Sequence, residues 1–251
     1  MVASLHLTCL DKSLPVPPDV ADWIQRTPYR ELVGSLNYLT IATQPDIAFA
    51  VGHLASFLDC YHVEHWDAAI QVLRYVKGTK SLCLTLGSDI PLTLFGYSDA
   101  DYANCRETSH SISGYCYSLS SGVISWSSKK QRVTANSSCY PEYIALHHSG
   151  KELIFLRELL EGLGHSFPMS TPLYCDNNAA QILTGDASNH ANVKHIHVKY
   201  HTIHDIMEEE LCHVIHIRSS DNVADIFTKP LTRDAFECFR TALGLTSIHP
   251  P

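Results

Sequence analysis

What this chain lacks narrows its class. No apolar run approaches the ~20 residues that a helix needs to cross a bilayer. The opening segment, MVASLHLTCLDKSLPVPPDV, has neither a basic start nor a long apolar core, so no signal peptide is expected. The chain reads as intracellular, cytoplasmic or nuclear, with no membrane partner. Its nine cysteines are scattered, odd in number and never form a C-x-x-C pair. In a reducing compartment they are expected as buried thiols rather than as a disulfide framework. Basic residues are outnumbered, 18 Lys and Arg against 26 Asp and Glu, for a net charge of −8. That balance excludes a protein that coats nucleic acid with a basic surface. It does not exclude a nuclease, whose acidic residues are gathered at a metal site. No internal repeat and no Asp-Asp pair occurs.

What is present indicates a globular chain. Its 251 residues are 45% hydrophobic, with a mean hydropathy of −0.04, enough to bury one large or two small cores. Residues 1–28 are Pro-rich and read as a linker or extended arm. Residues 29–80 carry apolar positions at helical spacing: Leu32, Val33, Leu36, Leu39 and Ile41, then Trp66, Ala69, Ile70, Leu73 and Val76, stopping at Gly78. Pro45 and Asp46 start a helix between them. From residue 82 short β-rich runs follow, with a hairpin at Ser121-Gly122. A long helix is expected over 141–162. Then come a strand (PLYCD), helices over NNAAQILTG and KHIHVKYHTIHDIMEEE, a strand (CHVIHIR) and two C-terminal helices. Strands followed by helix–strand alternation imply an α/β fold: a mixed sheet with helices on both faces, preceded by a small helical module.

Four carboxylates stand out: Asp99 in LTLFGYSDADYA, Glu142 at the start of the long helix, Asp176 ending a strand in LYCDN, and Asp225 in a late helix, NVADIFTK. Hard divalent cations need several oxygen ligands close together, and strand ends plus a packed helix can supply them. Other candidates carry weaker signals. Lys129, Lys130 and Arg132 form the densest basic strip and serve equally as a solvated hairpin tip. Ser137 and Ser138 precede the long helix as phosphate ligands or as plain caps. Asn177 follows Asp176 as a ligand contact or a cap, and Asp101 is a neighbour of Asp99 or a turn residue. His197, His201 and His204 share a helical face and could hold zinc. No fourth ligand is indicated, and a face of neutral histidines is the preferred reading.

In family order, the segments YRELVGSLNYLTIATQPDIAFAV, HWDAAIQVLRYVKGT, GYSDADYA, SGYCYSLSSGVISWSSKKQ, PEYIAL, YCDNNAA, KHIHVKYH and VADIFTKPL resemble the C-terminal end of the Pol polyprotein of copia-type long-terminal-repeat retrotransposons. The resemblance covers more than four-fifths of the chain. It implies that 29–80 is the end of a reverse transcriptase, in its thumb and connection region. It also implies that 82–228 is an RNase H-like domain, followed by a C-terminal helix and tail over 229–251. The implied activity is metal-dependent cleavage of the RNA strand of RNA–DNA hybrids. Asp99, Glu142, Asp176 and Asp225 would be the catalytic carboxylates, holding two Mg²⁺ (or Mn²⁺) ions about 3.5–4 Å apart. Asp99 would bridge the ions, and Lys129, Lys130, Arg132, Ser137, Ser138 and Asn177 would touch the hybrid. Reverse transcriptase and integrase parts of the same polyprotein would be its partners.

The sequence departs from the family where Ser-Ser-Thr-Glu-Ala-Glu-Tyr is usual and Ser137-Ser138-Cys139-Tyr140-Pro141-Glu142-Tyr143 stands here. Where the family usually carries an acidic residue, this chain has His197. Pro141 disfavours a helical Tyr140, so the helix is expected to start late, with Glu142 at a frayed end. That expectation keeps open a second function: an inactive remnant that binds nucleic acid or a protein.

Overall fold

The computed structural model describes residues 7–9, 17–87, 92–101, 110–134, 139–177 and 202–247. Helix α1 (Pro18–Arg26) occupies the end of the expected linker. Pro18 opens it with a preset φ, Asp19 sits in its first turn, and Asp22 pairs with Arg26 at 2.9 Å. These local terms make a helix where proline content alone suggested an extended arm. Helices α2 (Tyr29–Ala42), α3 (Ala48–Ala55) and α4 (Val63–Gly78) follow, with a 3-10 turn at Pro45–Ile47. Tyr29, Val33, Leu36, Ile47, Val51, Leu54, Ala69 and Val72 form their core, and the Tyr29 hydroxyl donates to the Leu54 carbonyl at 2.9 Å. Leu7 joins this core, and Cys9 is disulfide-bonded to Cys60. The expectation of thiols alone is therefore corrected. The two Cα atoms lie 5.1 Å apart, a contact across 51 residues that no local pattern announces. Cys116, Cys175 and Cys212 are buried thiols as expected, whereas Cys83 is half-buried and Cys238 exposed.

Strand β1 (Leu82–Leu84) stands apart from the main sheet. Its partner is β7 (Leu245–Ser247), so the chain's last described strand closes on the first. Sequence reading expected only helix and tail there. Gly244, at φ +89°, turns the chain out of the preceding helix and into β7. The five-stranded sheet comprises β2 (Leu94–Asp101), β3 (His110–Leu119), β4 (Gly122–Thr134), β5 (Thr171–Cys175) and β6 (Cys212–His216), in the order β4-β3-β2-β5-β6. The first three are antiparallel, with the β3–β4 hairpin turning at Ser120–Ser121. Strands β5 and β6 run parallel to β2. This is the expected mixed sheet behind a helical module.

Helix α5 (Cys139–Gly162) covers one face with α6 (Thr202–Glu208). Tyr143, Leu146, Leu153, Leu156 and Leu160 recur at helical spacing and bury against Tyr117, Leu173, Ile203 and Ile206. The other face is covered by the 3-10 turn Val223–Phe227 and by α7 (Arg233–Ala242), through Phe227, Phe236, Phe239 and Leu243 against Cys116 and Val123. Two late α-helices were expected, and one is a 3-10 turn. Its length is confined between the Asn222 cap and Pro230, whose predecessor is disfavoured from helix. The expected helix over NNAAQILTG, and the start of the next, lie outside the described residues apart from Asn177.

The start of α5 corrects a second expectation. Cys139, Tyr140 and Pro141 are all helical, and Glu142 is buried rather than frayed. Proline's missing N–H has no acceptor to lose in a first turn. The turn is also pinned from the sheet: Gln131 Nε2 donates to the Pro141 carbonyl at 2.9 Å and to Ser113 Oγ at 2.7 Å.

Gly114 on β3 lets the turn Val223–Phe227 lie against the sheet. A Cβ there would meet Phe227 Cβ and Thr228 Cγ2 at 2.7 Å. Gly114→Ala is therefore expected to destabilise the fold by about 1–3 kcal/mol, as overpacking does. Denaturant unfolding would measure it. An unchanged midpoint would show that the turn is free to move away.

Candidate metal centre

Strand register builds the site. Strands β2 and β5 pair in parallel with Gly96 opposite Leu173 and Tyr97 opposite Tyr174. Extending the same offset by two residues sets Asp99 opposite Asp176, on the same face and at the carboxyl ends of adjacent strands. The Tyr97 and Tyr174 rings, one row earlier, are 5.1 Å apart. The first turn of α5 crosses these strand ends and brings Glu142, whose carboxylate accepts the Ala100 backbone N–H. One ligand oxygen from each of Asp99, Glu142 and Asp176 lies within 4.8 Å of the others. Among the described residues this is the only such group of three.

Asp225 comes from the 3-10 turn, close enough to Asp99 for the charge of Asp99 to bear on it. It is buried and pairs with Lys229 Nζ at 2.9 Å. Thus three of the four expected carboxylates share one potential ligand cluster, and the fourth is held beside it by a lysine.

The electrostatics follow from burial. Asp99 and Glu142 are both pushed upward from the ordinary carboxylate range, first by desolvation. The charge of Asp176 adds to the rise in each case, and that of Asp99 adds to it for Glu142. Desolvation and Asp99 push Asp225 up to about 7, against the pull of Lys229. Lys229 itself is raised. Its burial works to lower it, but the carboxylates of Asp99, Asp225 and Asp176 outweigh that.

Four residues of the site went unrecognised in the sequence. Asn222 is fully buried. Its Nδ2 donates to the Ser98 carbonyl at 3.1 Å and to Asp176 at 3.4 Å, while its Oδ1 caps the 3-10 turn through Ala224 N–H. The Thr228 hydroxyl donates to Asp99, and the Ser219 hydroxyl donates to Asp176. Lys229 is the fourth. Only Asn222 had a legible signal, as an N-cap before V-A-D-I.

The remaining candidates are less gathered. Asn177 is half-buried and directly follows Asp176, and Asp101 closes β2 opposite Ile112. Lys129, Lys130 and Arg132 lie on β4, the sheet's edge strand, two strands from Asp99. They do not form one track, because neighbours in a strand face opposite ways. Lys130 shares a row with Ile112 and Asp101, on Asp99's face, whereas Lys129 pairs with Ser113 on the α5 face. Ser137, Ser138, His197 and His201, and the His204 side chain, lie outside the described residues. No helix among the described residues is long and apolar enough to cross a membrane.

No protein-family model matches the chain. It is similar to the "Retrovirus-related Pol polyprotein from transposon TNT 1-94" of Nicotiana tabacum, with 38% identity over 96% of this chain and 18% of that protein. The corresponding polyprotein from transposon RE1 of Arabidopsis thaliana is 38% identical over 89% of this chain and 15% of its own length. The chain thus spans under a fifth of the curated relatives first matched. Among solved structures, it resembles LC11-RNase H1 from compost at 15% identity and a TM-score of 0.40, over 59% of this chain and 98% of that one. That likeness is too slight to bear on function.

The cluster fixes the sign of a pH effect. A carboxylate whose folded pKa lies above its unfolded value binds protons more tightly when folded. Its stabilising contribution is present at low pH and is lost as pH rises through the folded pKa. For Asp225 that window runs from about 4 to about 7. Metal-free protein is expected to gain Tm when pH falls from 8 towards 5.5, and Asp225→Asn should flatten the dependence. Thermal melts across that range check it. A wild-type Tm that falls steadily over the window would contradict the raised pKa.

Proposed function

We propose that this chain, homologous over most of its length to retrovirus-related Pol polyproteins of plant transposons, is an RNase H-type nuclease that hydrolyses the RNA strand of RNA–DNA hybrids. One observation carries the reading. Two adjacent strand ends and a helix's first turn deliver Asp99, Asp176 and Glu142 to within 4.8 Å of one another. The donor set fits a hard divalent ion such as Mg²⁺ or Mn²⁺, because every ligand is a carboxylate oxygen. The raised pKa values fit too, since buried carboxylates this close ionise together most easily around a cation. When bound, such ions supply Lewis acidity at the phosphoryl oxygens and an acidified water.

The chain's own residues do the positioning. Asp99 is central, held by the Thr228 hydroxyl. Asn222 and Ser219 hold Asp176, and the Ala100 N–H holds Glu142. Asn177, next to Asp176, would meet a ribose 2′-hydroxyl. Lys130, which shares a sheet face with Asp99, would meet a phosphate, and Lys129 on the other face would not. Recognition through shape and the 2′-hydroxyl requires no base-reading residues. The reverse transcriptase portion of a longer Pol chain would hold the rest of the hybrid. The remnant reading loses one of its supports, the frayed Glu142, and keeps the other, the absence of polymerase and integrase regions from this sequence.

Purified protein should cut the RNA of a labelled hybrid in millimolar Mg²⁺ or Mn²⁺ and leave duplex DNA intact. Asp99→Asn keeps the side chain's size and should slow cutting by at least about a hundredfold, more than losing a residue that only orients a ligand. Folded wild-type protein that binds Mn²⁺ yet leaves the hybrid whole would overturn the nuclease reading.

A further inference from the structure

We infer that Lys229 is a tethered counter-cation of the carboxylate cluster, which competes with a divalent ion and so sets the metal affinity of the site. The inference deepens the metal-centre reading above and rests on it. Lys229 Nζ lies 2.9 Å from Asp225 Oδ1, with its own side chain 32% exposed and its partner's 7%. This is not a surface ion pair. The charge of Lys229 bears on Asp99 and Glu142 as well as Asp225, and the charge of Asp176 bears on Lys229. A single ammonium therefore faces the three-carboxylate cluster and the fourth carboxylate beside it.

Local sequence explains how it gets there. Lys229 follows Thr228, whose hydroxyl is bonded to Asp99, and its backbone N–H donates to the Asp225 carbonyl at 3.2 Å. Pro230 comes next and fixes the exit of the chain. The backbone at 228–229 is thus anchored to the site at both residues, while the four-carbon stem can carry the ammonium in or out. Lysine suits such a role better than arginine would. It is a compact point charge on a flexible stem, without a planar fork that locks onto one carboxylate.

The consequence is a competition. Without metal, the ammonium relieves the repulsion among carboxylates that the fold has desolvated. A divalent ion bound by the neighbouring carboxylates meets a like charge, so Lys229 must yield as metal binds. Removing the charge should weaken the metal-free fold and strengthen metal binding. A merely structural lysine would affect only the first.

The test compares wild type with Lys229→Met, Lys229→Gln and Lys229→Arg at pH 8. Mn²⁺ alone is titrated calorimetrically, and thermal melts are recorded with and without it. The neutral variants should melt several degrees lower without metal and bind Mn²⁺ about tenfold more tightly, the scale on which residues around metal ligands act. Lys229→Arg keeps the charge and should bind Mn²⁺ no more tightly than wild type. If Lys229→Met fails to fold, Lys229→Gln carries the measurement, because it keeps a hydrogen-bond donor. Neutral variants that bind Mn²⁺ within twofold of wild type, or more weakly, would overturn the inference while leaving the metal centre standing. Folded wild-type protein that binds no Mn²⁺ would overturn the metal centre and this inference together.

Discussion

Placing carboxylates side by side out of water is the constraint on which the rest of the site depends. Each buried anion loses hydration, and each neighbour adds repulsion, so an undefended cluster would protonate or push its elements apart. The fold defends every member. Glu142 has a backbone N–H from β2, Asp99 has a hydroxyl from Thr228, Asp176 has Ser219 and Asn222, and Asp225 has Lys229. Four elements of the site already have packing reasons to be where they are. The parallel offset of β2 and β5 sets the aspartates abreast. The apolar stripe of α5 fixes where its first turn crosses, and Gly114 gives the 3-10 turn its seat. Residual strain in the charge balance shows as raised carboxylate pKa values, with burial the largest cause and mutual repulsion behind it.

The aspartates at strand ends were legible because short apolar runs ending in Asp mark strand termini, and a sheet gathers its strand ends at one edge. The partners that hold them were not. Thr228 meets Asp99 across 129 residues, and Asn222 meets the Ser98 carbonyl across 124. Threonine and asparagine are common enough that only the folded chain singles these two out. Lys229 failed to register for a related reason. A Lys four residues after an Asp reads as an ordinary exposed pair, and only the burial of Asp225 makes it otherwise. The basic strip failed in the opposite way. Lys129 and Lys130 look like one patch in the sequence, but strand alternation sends them to opposite faces.

Pro141 shows how a correct local rule reaches a wrong conclusion. Proline does disfavour helix in the residue before it, yet Tyr140 is helical. The preference is modest against what holds the turn: Gln131 bonded to the Pro141 carbonyl, Glu142 bonded to Ala100, and Tyr143 fully buried among α5 neighbours. Long-range terms of this kind are absent from a window of seven residues. The same holds for β1 and β7, whose pairing joins the start of the strand-rich region to residues read as tail.

The helical module is bonded to the face that carries Asp225. Trp126 Nε1 on β4 donates to the Thr40 carbonyl at 2.7 Å. The Tyr75 hydroxyl donates to buried Asp46 and accepts from Arg240 of α7 at 3.2 Å. Burial raises Asp46 from its ordinary range, while Tyr75 and Arg240 pull it back, so the carboxylate is partnered from both sides of the junction. The Tyr75 ring meets Phe236 edge-on at 5.6 Å, and Phe236 packs in the cluster that contains Phe227. Phe227 lies two residues from Asp225 and caps the space above Gly114. The turn that brings Asp225 and Lys229 to the cluster is therefore pressed between the sheet on one side and α7 on the other, and α7 in turn leans on Tyr75 of α4. A separately expressed strand-rich half would expose this apolar contact and leave Arg240 without its tyrosine partner. The geometry of the carboxylate site thus depends on helices that contribute no ligand to it.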